Sequence, residues 1–291
     1  MTQKAIDISA WQGAVSVSNF QKTGIPIIVL RSSWTHQGSF KLDIDKVFKN
    51  NAKNAYKANK RLGIYHYSQA ISESEAKKEA EYVLKTIKPY KSYIDMEVWF
   101  DWEFGGRLSA YKAAQLGKAK CGKIVDAFCN TIKKGGFKTG VYANLSTLNG
   151  YLPSDLYKRW DIWVAQYNSK CNYKHKHKMW QYSSSGRVKG ISGRIDMNYY
   201  YEVEEVKAIS PYHGQFPTLP KRGWFTSGDR GEEVKKLQRF LNWYGGYGLE
   251  VDGIVGRKTI DAVRRYQGRE KIKIDGCFGK ESLKRAKVVM A

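Results

Sequence analysis

Apolar positions in the first ~205 residues fall into short blocks that alternate between two periodicities. Ile27-Ile28-Val29-Leu30 is a continuous apolar run of strand length, and Leu62-Gly63-Ile64-Tyr65-His66-Tyr67 is a second. Between them, from about Leu42 to Lys60, Val47, Phe48, Ala52, Ala55 and Tyr56 fall at helical spacing. Ser72-Glu73-Ser74-Glu75 opens a helix through about Leu84, since Ser and Glu suit a first turn, and Pro89 follows its end. Ser92-Tyr93-Ile94-Asp95-Met96-Glu97 reads as a strand. Ser109 to Gly135 is mostly helical and stops at Gly135-Gly136, where a left-handed cap is available. Thr139–Ala143, Asp161–Gln166 and Met179–Tyr182 then read as strands. Repeated strand–helix alternation predicts an α/β fold with a largely parallel sheet, and a closed barrel is its natural form at this length.

The pattern changes after this region. Residues 206–222 carry Pro211, Gly214, Pro217 and Pro220, which is linker composition. Beyond them Val251-Asp252-Gly253-Ile254-Val255-Gly256 recurs as Ile274-Asp275-Gly276-Cys277-Phe278-Gly279, and each copy is followed by a Thr or Ser (Thr259, Ser282). Asp-Gly favours a tight turn, and the Thr or Ser is placed to cap a following helix. The expected organisation is a barrel domain over 1–207, a linker over 208–222 and a small all-α domain over 223–291.

Composition narrows the functional classes. A chain of 291 residues that is 42% hydrophobic and 26% charged is globular, and no apolar stretch reaches membrane-spanning length. The start, Met1-Thr2-Gln3-Lys4-Ala5-Ile6-Asp7, has no apolar signal region, so the expected product is made in the cytoplasm and reaches any outside target by another route. The net charge of +23 favours polyanionic partners, but no dense Arg-rich arm selects nucleic acid. Cys121, Cys129, Cys171 and Cys277 match no zinc spacing and read as thiols. His36, His66, His175, His177 and His213 form no ligand set, and the Gly-rich segments lack a phosphate loop. Neither a metal nor a cofactor is expected.

Candidate chemistry lies in the acids. Asp7 sits in Ile6-Asp7-Ile8-Ser9, Asp95 and Glu97 in Ile94-Asp95-Met96-Glu97, and Asp196 in Arg194-Ile195-Asp196-Met197-Asn198. On a strand, residues i and i+2 share a face, so Asp95 and Glu97 project together. Two crowded carboxylates cannot both ionise cheaply, which supplies a proton donor and an anion at neutral pH. Glycosidic cleavage needs such a pair. An isolated acidic pair on a strand is more often a solvated face, and Asp101 and Glu103 close by suggest a cation site as another use. Tyr65, Tyr67, Tyr142, Gln166 and Gln181 are candidate sugar contacts, although barrel aromatics are more often core.

Taken together, Asp7-x-Ser9-x-x-Gln12-Gly13, Gly63–Tyr67, Asp95-Met96-Glu97, Val141-Tyr142, Trp163–Tyr167, Trp180-Gln181-Tyr182 and Asp196-Met197-Asn198 resemble the lysozymes of glycoside hydrolase family 25. The resemblance implies an irregular β/α barrel that hydrolyses the β-1,4 bond between N-acetylmuramic acid and N-acetylglucosamine. It implies Glu97 as general acid, Asp95 as support for the acetamido group or the developing cation, and Asp7 and Asp196 as the rest of an acidic pocket. Tyr67 and Tyr142 match pocket aromatics. Val98-Trp99-Phe100-Asp101-Trp102-Glu103 departs from the small polar residues of many relatives. Gly228-Asp229-x-Gly231-x-x-Val234-x-x-Leu237-Gln238 with the two Asp-Gly repeats resembles the peptidoglycan-binding type 1 domain. Cell-wall peptidoglycan is then the implied partner, with no nucleic acid and no membrane insertion. The pairing is similar to a phage endolysin that reaches the wall through a holin pore. A non-catalytic wall-binding protein and a basic metal-dependent nuclease are the competing functions.

Overall fold

Eight strands close into a barrel in the computed structural model because their side chains divide between two apolar layers. The structure describes residues 2–201, 212, 214–245, 247–270 and 272–288, in two units, 1–203 and 204–291. In the first unit the order is β1 (Thr2–Ile8), α1 (Val17–Lys22), β2 (Ile27–Thr35), β3 (Leu42–Ile44), α2 (Phe48–Lys57), β4 (Arg61–Ser68), α3 (Glu73–Ile87), β5 (Val98–Trp102), α4 (Ala110–Lys134), β6 (Thr139–Asn144), α5 (Leu145–Gly150), β7 (Asp161–Ala165), β8 (Met179–Val188) and β9 (Ile191–Tyr201). Strands β1, β2, β4, β5, β6, β7 and β8 are parallel in that order around the wall. Strand β9 runs antiparallel to both β8 and β1 and closes the circle. Alternate residues such as Ile28, Leu30, Ile64, Phe100, Val141 and Val164 pack with helix residues Phe48, Val83, Ile124 and Phe128. The other set, including Ala5, Val29, Trp99, Trp163 and Met179, fills the interior.

Local signals place the helices well. Ser72 Oγ accepts from the Glu75 amide at 3.2 Å and opens α3, and Ser109 Oγ accepts from Lys112 N at 3.1 Å and opens α4. The helix expected from Leu42 starts only at Phe48, because Leu42–Ile44 adds an edge strand to β2. A larger difference concerns the strand expected over 92–97. Lys88–Tyr93 forms a 3-10 turn instead, and the strand is Val98–Trp102, with all five residues buried. Its bulky sequence is what both layers require: Val98, Phe100 and Trp102 pack in the outer layer and Trp99 inside.

The second unit contains β10 (Trp224–Phe225), α6 (Glu232–Gly245), α7 (Arg257–Arg269), β11 (Phe278–Gly279) and α8 (Lys280–Val288). The expected helical domain therefore also carries a short antiparallel ladder, β10 with β11. Tyr212, Phe216 and Leu219 pack with Leu237, Phe240 and Tyr266, so part of the expected linker belongs to this core. The expected boundary at 207/208 lies outside the described residues. The two Asp-Gly turns share one device, a buried glutamine. Gln238 accepts from Gly253 N (2.9 Å) and donates to Asp252 Oδ1 (2.7 Å). Gln267 accepts from Gly276 N (2.9 Å) and donates to Asp275 Oδ1 (2.9 Å). Gly253 and Gly276 have φ of +74° and +78°, which side chains other than glycine's disfavour. Thr259 does not cap α7 as expected: it lies inside the helix and its hydroxyl donates to Ile254 O at 3.3 Å.

Candidate active site

Strand register brings the first two acids together. Asp7 on β1 lies directly opposite Asp196 on β9, and directly opposed residues of an antiparallel pair point to the same face. Asp101 on β5 is flanked in register by Tyr67 on β4 and Tyr142 on β6. Glu103 follows the carboxyl end of β5. Parallel strands β1 and β5 and antiparallel β9 therefore present Asp7, Asp101, Glu103 and Asp196 at one end of the barrel, the end where loops after parallel strands build sites.

A chain of oriented amides holds Asp7. Trp163 Nε1 donates to Asn198 Oδ1 at 2.9 Å, which turns the Asn198 amide nitrogen to Asp7 Oδ2 at 2.7 Å. Tyr142 and Tyr167 hydroxyls donate to Gln181 Oε1 at 2.9 and 3.2 Å, so Gln181 Nε2 faces the same Asp7 oxygen at 3.0 Å. These two donors favour the anion, but burial and neighbouring Asp196 outweigh them and push the Asp7 carboxyl up to about 8. Asp196 is raised to about 6 by burial and by Glu103. Burial and the Glu103 charge drive Asp101 well above the ordinary carboxylate range, with Arg31 opposing. Burial also raises Glu103, against the pull of the Tyr142 hydroxyl. Asp101 Oδ1 is buried with no hydrogen-bond partner.

Tyr65 lies partly buried beneath the acids, edge-on to Trp163 at 6.4 Å. The Tyr67 hydroxyl accepts from Gln37 at 2.9 Å and Gln69 at 3.3 Å. Gln69 also accepts from Leu108 N at 3.2 Å, and Arg107 pairs with Glu75 at 2.6 Å. Together these bonds pin the loop that carries Glu103. A cavity of about 280 Å³ opens beside Glu103, lined by Phe104, Tyr142, Asn144, Ala165, Gln166 and Tyr167. Gln166 lines it, while its side-chain oxygen is engaged by Asn172 N at 2.7 Å.

Asp95 and Glu97 do not join this group. Asp95 accepts from Leu62 N at 2.8 Å and pairs with Arg61 at 3.4 Å, beside the first residues of β4. Glu97 is fully buried, accepts from the Tyr200 hydroxyl at 3.2 Å on both oxygens, and has Lys178 Nζ at 4.0 Å. Both lie at the amino end of β5, and four strand residues from Glu97 to Asp101 span roughly 13 Å. Asp95-x-Glu97 and Asp101-x-Glu103 are thus the same pattern at opposite ends of one strand. The separation also removes the cation site suggested by their proximity in sequence. Among the described residues, no three of His, Cys, Asp or Glu converge to hold a metal ion. Sequence reasoning gave Asp101 and Glu103 only a possible cation-site use and gave Asn198 no role. The signal for the first two was the uninterrupted bulky run 98–102, which is the strand they terminate.

A model of glycosyl hydrolases family 25 matches residues 6–191. The chain belongs to glycosyl hydrolase family 25. Family 25 membership makes it a glycoside hydrolase, and the closed barrel is the family's fold. A model described as a putative peptidoglycan binding domain matches residues 230–285. Over 274 residues the chain is 29% identical to the autolytic lysozyme of Clostridium acetobutylicum, covering 91% of this chain and 72% of that protein. The modular autolysin LytC from Streptococcus pneumoniae superposes with a TM-score of 0.60 at 26% identity, over 69% of this chain and 47% of that one. The chain thus spans about half the length of LytC. The CTP1L endolysin gives a TM-score of 0.55 at 28% identity, over 69% of this chain and 67% of that one.

Proposed function

We propose that the chain hydrolyses the glycan strand of bacterial peptidoglycan, at the β-1,4 bond between N-acetylmuramic acid and N-acetylglucosamine. The observation that carries this reading is the convergence of Asp101 and Glu103 with Asp7 and Asp196 at the carboxyl end of the barrel strands, where Glu103 lines a cavity. The similar autolytic lysozyme, a LytC structure in complex with synthetic peptidoglycan ligand and the peptidoglycan-binding match support the substrate. Glu103, whose carboxyl burial raises above the ordinary range, donates its proton to the glycosidic oxygen as the bond breaks. Asp101, two residues before the donor and at the same end of the barrel, supports the acetamido group that assists the departing bond. Asp7 and Asp196 complete the acidic group beside the donor, and the Glu103 charge in turn raises both of their carboxyls.

Turbidity loss and release of reducing ends from purified walls test the assignment. Glu103→Gln is expected to lower the rate by about 100-fold or more. Glu97→Gln, at the other end of the barrel, is expected to stay within a few-fold of the parent. The reverse ranking would return the donor role to Glu97.

Host lysis is the setting we propose, supported by similarity to the endolysin ply40 from bacteriophage P40 of Listeria monocytogenes, at 26% identity and a TM-score of 0.53. Expression in the cytoplasm should leave cells intact until the membrane is permeabilised and then lyse them. Intact cells after permeabilisation would contradict this role.

A further inference from the structure

A second concave site lies at the end of the barrel opposite the four acids. It is a cleft of about 490 Å³ formed where β6, β7 and β8 begin, together with the last turn of α4. Its lining carries Lys133, Lys138, Lys158, Arg159, Lys176 and Lys178 against one acid, Asp161. Two of the six cations are already engaged. Arg159 is fixed by Asp126 and Asp155, both at 3.2 Å, and Lys178 faces Glu97. Lys133, Lys138, Lys158 and Lys176 are exposed and make no ion pair among the described residues. Four unpaired ammonium groups around one concavity repel one another, and the concavity focuses their field on an entering anion.

We propose that this cleft binds an anionic polyol-phosphate polymer of the cell wall, a proposal that rests on the wall-hydrolase reading above. The aromatic rings at the cleft favour that ligand over single-stranded nucleic acid, which needs bare rings for base stacking. Tyr157 is stacked on His175 at 4.5 Å and 9°. Trp160 donates to Asp126 at 2.7 Å and has Lys133 over its ring at 5.9 Å. Phe137 has Lys91 over its ring at 5.4 Å. A polyol phosphate offers evenly spaced negative charges and no flat rings, which matches lysines among rings that each already have a stacking or cation partner.

The test uses the full chain and two triple variants of equal charge change. One is Lys138→Glu, Lys158→Glu, Lys176→Glu in the cleft; the other is Lys22→Glu, Lys49→Glu, Lys53→Glu on α1 and α2. Binding of poly(glycerol phosphate) is measured by calorimetry at fixed salt, with thermal melting to confirm that both variants fold. The cleft triple is expected to weaken binding by about tenfold or more and to flatten its salt dependence, with less than about twofold change in the control. Equal weakening in both triples, no saturable binding by the parent, or tighter cleft-dependent binding of single-stranded DNA would each overturn the proposal. Hydrolysis of soluble, phosphate-free glycan by the parent reports separately on the enzymatic reading, and the cleft triple should leave it unchanged.

Discussion

Asp7 is held by two amide donors yet keeps its proton, because the desolvated cluster around it cannot hold four negative charges. This has a cost for the fold. Its carboxyl is raised from 3.8 to about 8, so above pH 4 the folded state binds a proton that the unfolded state has released. The associated stability is complete below pH 4, falls as pH rises and is lost by about pH 8; Asp196 adds a smaller loss between 3.8 and about 6. Asp7→Asn keeps an acceptor for Gln181 and Asn198 and removes the titration. It is expected to stabilise the barrel unit at pH 8 by a few kcal/mol and to change little at pH 4, while lowering hydrolysis. Denaturant titrations at the two pH values check this, and an equal effect at both would refute the proton linkage. At this scale Asp7 was legible in the sequence as a buried acid between Ile6 and Ile8. The orientation of Asn198 was not, since it depends on an indole 35 residues away.

Among the elements, β5 decides where the site is. Its six-residue offset from the expected strand exchanges Asp95-x-Glu97 for Asp101-x-Glu103, and neither local pattern nor acid spacing distinguishes the two pairs. Packing does, because Trp99 must enter an interior already holding Trp163, at 5.6 Å between ring centroids. That interior leaves no room at Gly140 of β6, where an added methyl would overlap the Asp161 carbonyl and meet the Trp99 ring at 2.6 Å. Gly140→Ala is therefore expected to destabilise the barrel by about 3 kcal/mol, with hydrolysis lost as β5 shifts. A melting temperature equal to the parent's would show that β5 and β6 pack less closely than described. The helices were more legible than this strand because Ser72 and Ser109 act on amides three residues away, within reach of a local pattern.

For the whole molecule, each unit has its own apolar core, the barrel layers in one and the Phe240–Tyr266 cluster in the other. Two calorimetric transitions are expected, and deletion of 204–291 should abolish the second while leaving hydrolysis of soluble glycan near the parent rate. Wall association of the shortened chain should fall by about tenfold or more, since two wall contacts on one chain reinforce each other. A single transition in the full chain, or unchanged wall association after the deletion, would contradict this division.

By itself the sequence determined the alternation of strands and helices, the Asp-Gly repeat, the basic charge and the acids at Asp7 and Asp196, because each is written in periodicity, turn chemistry or composition. Only the tertiary structure decided which Asp-x-Glu pair faces the cavity, that Gln238 and Gln267 clamp the repeats, and that the lysines of three separate segments share one cleft. The physical reason is common to all three. A residue's chemistry is local, but the strand end, register and neighbours that give it a role come from residues distant in the chain.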